Sequence, residues 1–136
     1  MNQVDTEAML KLLVSTTAFG GQEVQGGESL TSLGYADVGI DEGWEGCGEG
    51  VNGTQHNASG APVIHAPTFP DMRGLVEAAH SSNLTMGWYQ NGCACGELLE
   101  KEINYAGDVR SAYSLGFDGV KFDGCGAQNN HTLCVP

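Results

Sequence analysis

Three short apolar stretches constrain this chain more than any other feature. Residues 36–41 (Ala-Asp-Val-Gly-Ile-Asp), 84–89 (Leu-Thr-Met-Gly-Trp-Tyr) and 119–123 (Gly-Val-Lys-Phe-Asp) each read as a buried strand, with helical patterns between them. Side chains alternate faces along a strand, so residues two apart share a side. Val38 and Ile40 therefore oppose Gly39 and Asp41, and Met86 and Trp88 oppose Gly87 and Tyr89. In the third strand Val120 and Phe122 oppose Gly119, Lys121 and Asp123. Every strand thus puts bulky apolar groups on one face and glycine on the other, with a polar group at its C-terminal end. An open doubly wound sheet buries both faces under helices and gives no reason for that sidedness. A (β/α)8 barrel does, because its inward side chains at the C-terminal rim line the site. The pattern predicts an α/β chain forming part of such a barrel, with about three parallel strands joined by right-handed helical crossovers.

The segments between the strands fit this plan. Asp5 or Thr6 can cap a first helix with Ala8, Met9, Leu12 and Leu13 as its apolar positions. A glycine-rich stretch follows at 20–27, and an acidic glycine loop spans 42–53. Thr68-Phe-Pro-Asp71 opens a second helix, where Met72, Leu75, Val76 and Ala79 recur at i, i+3, i+4 and i+7, ending near Asn83. A loop is expected over 90–96, then a third helix with Leu99, Ile103, Ala106, Val109 and Tyr113 on one face and Gly116 as its stop. The tail to Pro136 reads as loop.

Lys and Arg number 5 against 17 Asp and Glu, a formal charge of 5 − 17 = −12. That balance argues against nucleic acid and anionic membrane as partners, since both demand a basic face. No apolar run approaches the roughly 18 residues of a membrane span. No signal-peptide pattern opens the chain, because Asp5 and Glu7 precede the short apolar stretch 8–14. Four glycosylation sequons nevertheless start at Asn52, Asn57, Asn83 and Asn130, and there are five cysteines. Both point to a secretory or lumenal setting, and the odd cysteine suggests a piece of something longer.

The blocks Gly34-Tyr35, Ile40-Asp41-Glu42-Gly43-Trp44, Phe69-Pro70, Gly74-Leu75, Met86-Gly87-Trp88-Tyr89 and Val120-Lys121-Phe122-Asp123-Gly124-Cys125 stand in a telling order. In order and spacing they resemble the α-galactosidases and α-N-acetylgalactosaminidases of glycoside hydrolase family 27, from about residue 6 to residue 126. The resemblance implies a retaining glycosidase acting on a terminal α-linked galactose, with this chain similar to barrel strands two to four of eight and with no second domain in it. It implies that Asp123 is the nucleophile, that Lys121, Asp41 and Glu42 contact sugar hydroxyls, and that Tyr89 lines the sugar pocket. A nucleophilic carboxylate must stay ionised, and Lys121, two residues away on the same face, brings a positive charge near it. Retention requires a second carboxyl about 5–5.5 Å away, which the resemblance puts outside this chain. Cys125 matches half of a disulfide to the loop after the second strand, with Cys95 favoured as partner over Cys93. The substrate is a carbohydrate, and no cofactor or metal is implied.

Two departures stand out. The family usually has Asp-Asp where this chain has Asp41-Glu42, and a cysteine often follows where Gly43 stands, so a second family disulfide is expected to be missing. Two further readings accompany the glycosidase. One is a non-catalytic sugar-binding relative, which the Glu42 substitution would suit. The other is a metal site built from Cys93, Cys95, Cys125, Cys134 and His131, although C-x-C is not the spacing of common zinc modules. His56, His65 and His80 read as loop or surface residues without a role, and Glu45 and Glu49 as part of a solvated loop.

Overall fold

The computed structural model describes residues 1–17, 26–97 and 102–124. Strand β1 spans Asp37–Gly39, β2 spans Thr85–Asn91 and β3 spans Gly119–Asp123, and they form one parallel sheet in the order β1-β2-β3. Helix α1 (Gln3–Val14) precedes β1, α2 (Met72–Ser81) joins β1 to β2, and α3 (Glu102–Leu115) joins β2 to β3. The register aligns Gly39 with Gly87 and Gly87 with Gly119, so three glycines lie side by side across the sheet. A Cβ at Gly39 or Gly87 would meet nothing closer than 3.5 Å. Local contacts do not force these glycines; they leave the inner face bare beneath the polar strand ends.

The outer face is apolar, as the alternation requires. Met86 and Trp88 are fully buried, and α2 covers them with Met72, Leu75, Val76 and Ala79, the face expected from their spacing. Asp71 starts that helix by accepting the Gly74 N–H at 2.9 Å. Trp88 stacks on Phe117 at 5.0 Å between centroids and meets Trp44 at 4.7 Å. Asp118, just before β3, accepts the Met86 N–H at 2.7 Å and pairs with His80 Nε2 at 2.8 Å, tying the end of α2 to the sheet. The Met86 N–H and then His80 hold its carboxyl below the ordinary carboxylate value.

Several local expectations are corrected. β1 is shorter than residues 36–41, although Ile40 still donates its N–H to Gly87 at 3.1 Å. β2 runs on through Gln90 and Asn91, because these residues pair with Phe122 and Asp123 of β3. The cap of α1 is Asn2, whose Oδ1 accepts the Asp5 N–H. Its buried residues are Gln3, Thr6 and Leu10, while Met9 and Leu12 are exposed. Gln3 sets that orientation: its N–H donates to Thr68 O at 2.9 Å and its side chain accepts the Asp71 N–H at 2.8 Å. Helix α3 likewise turns away from the expected face. It buries Gly107, Asp108 and Ala112 and exposes Ile103, Val109 and Tyr113. Gly116 ends it in the left-handed region as expected, at φ 89°; Leu99 and the tail from residue 125 lie outside the described residues.

The rotation of α3 has its cause in the segment after β1, where residues 47–53 are mostly exposed, as expected, but the flanking residues turn inward. Trp44, Gln55 and His56 in it are buried, and bridges at Glu45–Ile64 and His56–Pro62 close it into a compact excursion. His56, 2% exposed, holds Glu97 through Nδ1 at 2.8 Å and Asp108 of α3 through Nε2 at 3.0 Å. Gln90 adds a bond to Asp108 at 3.3 Å. Alongside, Gly107 packs its Cα against the Gly60 carbonyl so closely that any Cβ would collide with backbone. Periodicity weighs only apolar residues and therefore missed an interface built on a glycine and an ion pair.

Burial works against the His56 imidazolium, but hydrogen bonding and charge from Asp108, then Glu97, outweigh it and raise its pKa above the ordinary 6.5. Burial also raises Asp108 against the pull of His56. Both shifts mean that the folded state binds more protons than the unfolded state, so stability falls as pH rises. The His56 contribution should be complete below pH 6.5 and vanish as pH climbs through its raised folded value. Urea unfolding between about pH 6 and pH 9 should show this decline, and His56→Gln should flatten it. At pH 6, His56→Ala should cost about 3–5 kcal/mol, the range for orphaning buried charges. Gly107→Ala should cost about 1–3 kcal/mol by overpacking, measured the same way.

Candidate active site at the strand ends

The polar residues picked out by strand parity meet at the C-terminal ends of the strands. Register places Tyr89 beside Lys121 and Asn91 beside Asp123. Asp41 and Glu42 follow β1 and reach over the same inner face. Lys121 Nζ lies 2.9 Å from Asp41 Oδ2 and 4.9 Å from the centroid of the Tyr89 ring. Tyr89 Oη lies 3.1 Å from Glu42 Oε1 and 3.0 Å from Asp123 Oδ2. Asp41, Glu42, Tyr89, Lys121 and Asp123 therefore form one contiguous cluster.

The Lys121 ammonium bonds Asp41 and also interacts with the charge of Asp123, the positive neighbour that the sequence led one to expect. The phenol of Tyr89 lies within hydrogen-bond reach of both the Asp123 and the Glu42 carboxylates. The Lys121 hydrogen bond, helped by the Glu42 N–H at 2.9 Å, holds Asp41 below the ordinary carboxylate value. Asp41 in turn raises Lys121. Both partners are half exposed, so solvent screens the pair and its use is orientation rather than stability. Burial, with the carboxylates of Asp123 and Glu42 adding to it, drives the Tyr89 hydroxyl far above its ordinary 10.0 and keeps it a neutral donor. The arrangement offers a cation, carboxylates and a phenol at one strand-end rim, the groups needed to grip hydroxyls and to present an ionised oxygen.

Beneath the cluster, Trp44 Nε1 donates to the Tyr89 carbonyl at 3.0 Å and fixes the path of β2 from the apolar side. Asn91 Nδ2 donates to Tyr89 Oη at 3.1 Å. Sequence reasoning had put Asn91 in a loop; the signal was the reach of β3 to Asp123, which needs a partner strand two residues longer.

The disulfide expected between Cys95 and Cys125 is corrected. Cys95 is bonded to Cys47, with S–S 2.02 Å and Cα–Cα 4.9 Å. The excursion after β1 folds back over the 3-10 turn at Ala94–Gly96 and delivers Cys47 to it. Gly43, where the family often has cysteine, is at φ 113°, a conformation side chains disfavour. Cys47 thus supplies, four residues on, a crosslink of the excursion after β1 to the turn after β2. Cys93 is also disulfide-bonded, while Cys125 and Cys134 lie outside the described residues. A metal site using Cys93 and Cys95 is overturned, because disulfide sulfurs are not thiolate ligands. Among the described residues no His, Cys, Asp and Glu group is arranged to hold a metal, and no helix is long and apolar enough to cross a membrane.

No family model and no curated protein matches the chain. Its fold is similar to that of solved α-galactosidases. Against α-galactosidase I of Mortierella vinacea the TM-score is 0.71 at 20% identity, covering 96% of this chain and 29% of that one. The α-galactosidase of Saccharomyces cerevisiae gives 0.62 at 17% identity over 95% of this chain and 24% of its own, and that enzyme has also been solved with raffinose. A Bacteroides fragilis protein described as an α-galactosidase or melibiase gives 0.69 at 20% identity, covering 97% and 25%. The chain spans about a quarter of the length of the proteins it matches. Three parallel strands with their helices here have the fold of one part of an α-galactosidase barrel.

Proposed function

We propose that the chain is a segment of a retaining α-galactosidase-type glycoside hydrolase, equivalent to strands two to four of the barrel. The observation that carries this reading is the single cluster of Asp41, Glu42, Tyr89, Lys121 and Asp123 at the strand C-termini of an α-galactosidase fold. Asp123 is the nucleophile. Its carboxylate attacks the anomeric carbon, the bond to the aglycone oxygen breaks, and a glycosyl ester forms; water later releases galactose. A second carboxyl, proposed to come from further barrel strands, gives the leaving oxygen its proton and then activates that water. Lys121 and Asp41, already paired at 2.9 Å, grip adjacent sugar hydroxyls as donor and acceptor, and Glu42 accepts from another.

The edge at β3 suits that assignment. Among the described residues β3 pairs with β2 alone, and its outer-face Val120 and Phe122 are 40% and 62% exposed. A further βα unit would cover both. Cys93 and Cys125 are proposed as the rim disulfide of the family pattern, and the exposed sequon residues Asn52, Asn57 and Asn83 as glycan sites of a secreted or lumenal protein.

The test uses the intact polypeptide carrying this segment. A 2-deoxy-2-fluoro galactosyl inactivator should add one sugar mass to the peptide containing Asp123. Asp123→Asn should abolish labelling and reduce turnover of a nitrophenyl α-galactoside by at least about 10³-fold, as loss of a covalent nucleophile does. Asp41→Asn should retain labelling but bind the sugar more weakly. Label on Asp41 or Glu42, or substantial turnover in Asp123→Asn, would overturn the assignment.

A further inference from the structure

Asn91 is 7% exposed, sits on the inner face two residues after Tyr89, and pairs across the sheet with Asp123. Which end of its amide faces the cluster is fixed by its neighbours. Oδ1 accepts the N–H of Cys93 at 3.1 Å and of Ala94 at 2.6 Å. An amino group there would face two donors, so the NH2 end must point the other way, where Tyr89 Oη lies 3.1 Å from Nδ2. A phenol has one proton and accepts through its lone pairs. With Asn91 donating into the oxygen, the phenol proton is left for a carboxylate, and a donor that itself accepts a hydrogen bond is a stronger donor.

From this one-way chain we infer that Asn91 is a positioning residue for the nucleophile. It locks Tyr89 so that the phenol donates to Asp123 Oδ2, leaving Oδ1 as the oxygen that attacks the sugar. Glu42 Oε1 also lies within reach of the phenol, at 3.1 Å. Glu42, however, lies on the turn beyond β1 and faces a sugar hydroxyl when substrate binds, while Asp123 is held in register opposite Asn91. The chain begins in the loop carrying Cys93 and Cys95, so the rim crosslinks set the nucleophile's orientation through Asn91. This inference rests on the glycosidase reading above.

Asn91→Ser separates its two contributions: serine can still accept from the loop N–H groups but is too short to reach Tyr89. In protein labelled at tyrosine 13Cζ, with the Tyr89 signal assigned by Tyr89→Phe, Asn91→Ser should displace the Tyr89 resonance and leave the other tyrosines in place. Asn91→Asp, which keeps an acceptor for the loop, should displace it too. On a nitrophenyl α-galactoside, kcat should fall about tenfold in Asn91→Ser, the worth of the phenol's hydrogen bond to the Asp123 carboxylate that Asn91 no longer secures, with KM within about twofold. Tyr89→Phe should lose a similar factor, and the double variant should lose no more than Tyr89→Phe alone. An unmoved Tyr89 signal, or losses that multiply in the double variant, would show a loop role only and overturn the proposal. The resonance reads Asn91 even if the protein never turns over a galactoside, so the two failures are distinguishable.

Discussion

The register of three parallel strands governs the rest of this structure. One backbone alignment, Gly39 with Gly87 and Gly87 with Gly119, puts every polar strand end at the same height and on the same face. A slip of one residue would turn Tyr89, Lys121 and Asp123 into the apolar layer and bring Trp88 and Phe122 out. Burying Trp88 and Met86 beneath α2 makes that slip prohibitive for β2. Tyr89 is therefore positioned by the hydrophobic effect acting on the opposite face of the sheet, and Lys121 and Asp123 by the backbone pairing of β3 with β2.

The same economy appears at the rim. A long excursion after β1 would be expected to blur the geometry of Asp41 and Glu42. Instead Trp44 anchors its start to the β2 backbone, the Cys47–Cys95 disulfide pins it to the turn after β2, and His56 ties it to Glu97 and to Asp108 on α3. Each of these ties joins segments distant in sequence, and the disulfide also removes conformations from the unfolded chain. The buried His56 group sets two carboxyl groups against one imidazole, so it holds the segments together most strongly when both ring nitrogens carry a proton.

Much of the fold was legible because its strongest signals are local. The alternation in 84–89 and 119–123, the spacing of Met72, Leu75, Val76 and Ala79, and the left-handed Gly116 each follow from the chain within a few residues. The candidate site was legible for the same reason, since parity alone puts Asp41, Tyr89, Lys121 and Asp123 on one face. What failed depended on partners far along the chain. Helix α1 is oriented by Gln3 on Thr68 and Asp71, and α3 by Asp108 on His56 and Gly107 on Gly60. An apolar count sees none of these. Cysteine pairing failed likewise, because Cys47 reaches Cys95 only through the folded excursion.

The central claim is that the inner face of these strand ends binds a galactosyl unit through Lys121 and Asp41 and presents Asp123 to its anomeric carbon. A crystal structure of the intact polypeptide soaked with galactose tests it most directly. The account predicts sugar hydroxyls within hydrogen-bond distance of Lys121 Nζ and the Asp41 carboxylate, with C1 facing Asp123 Oδ1. Galactose bound away from these strand ends, or in this cleft with C1 turned from Asp123, would contradict it.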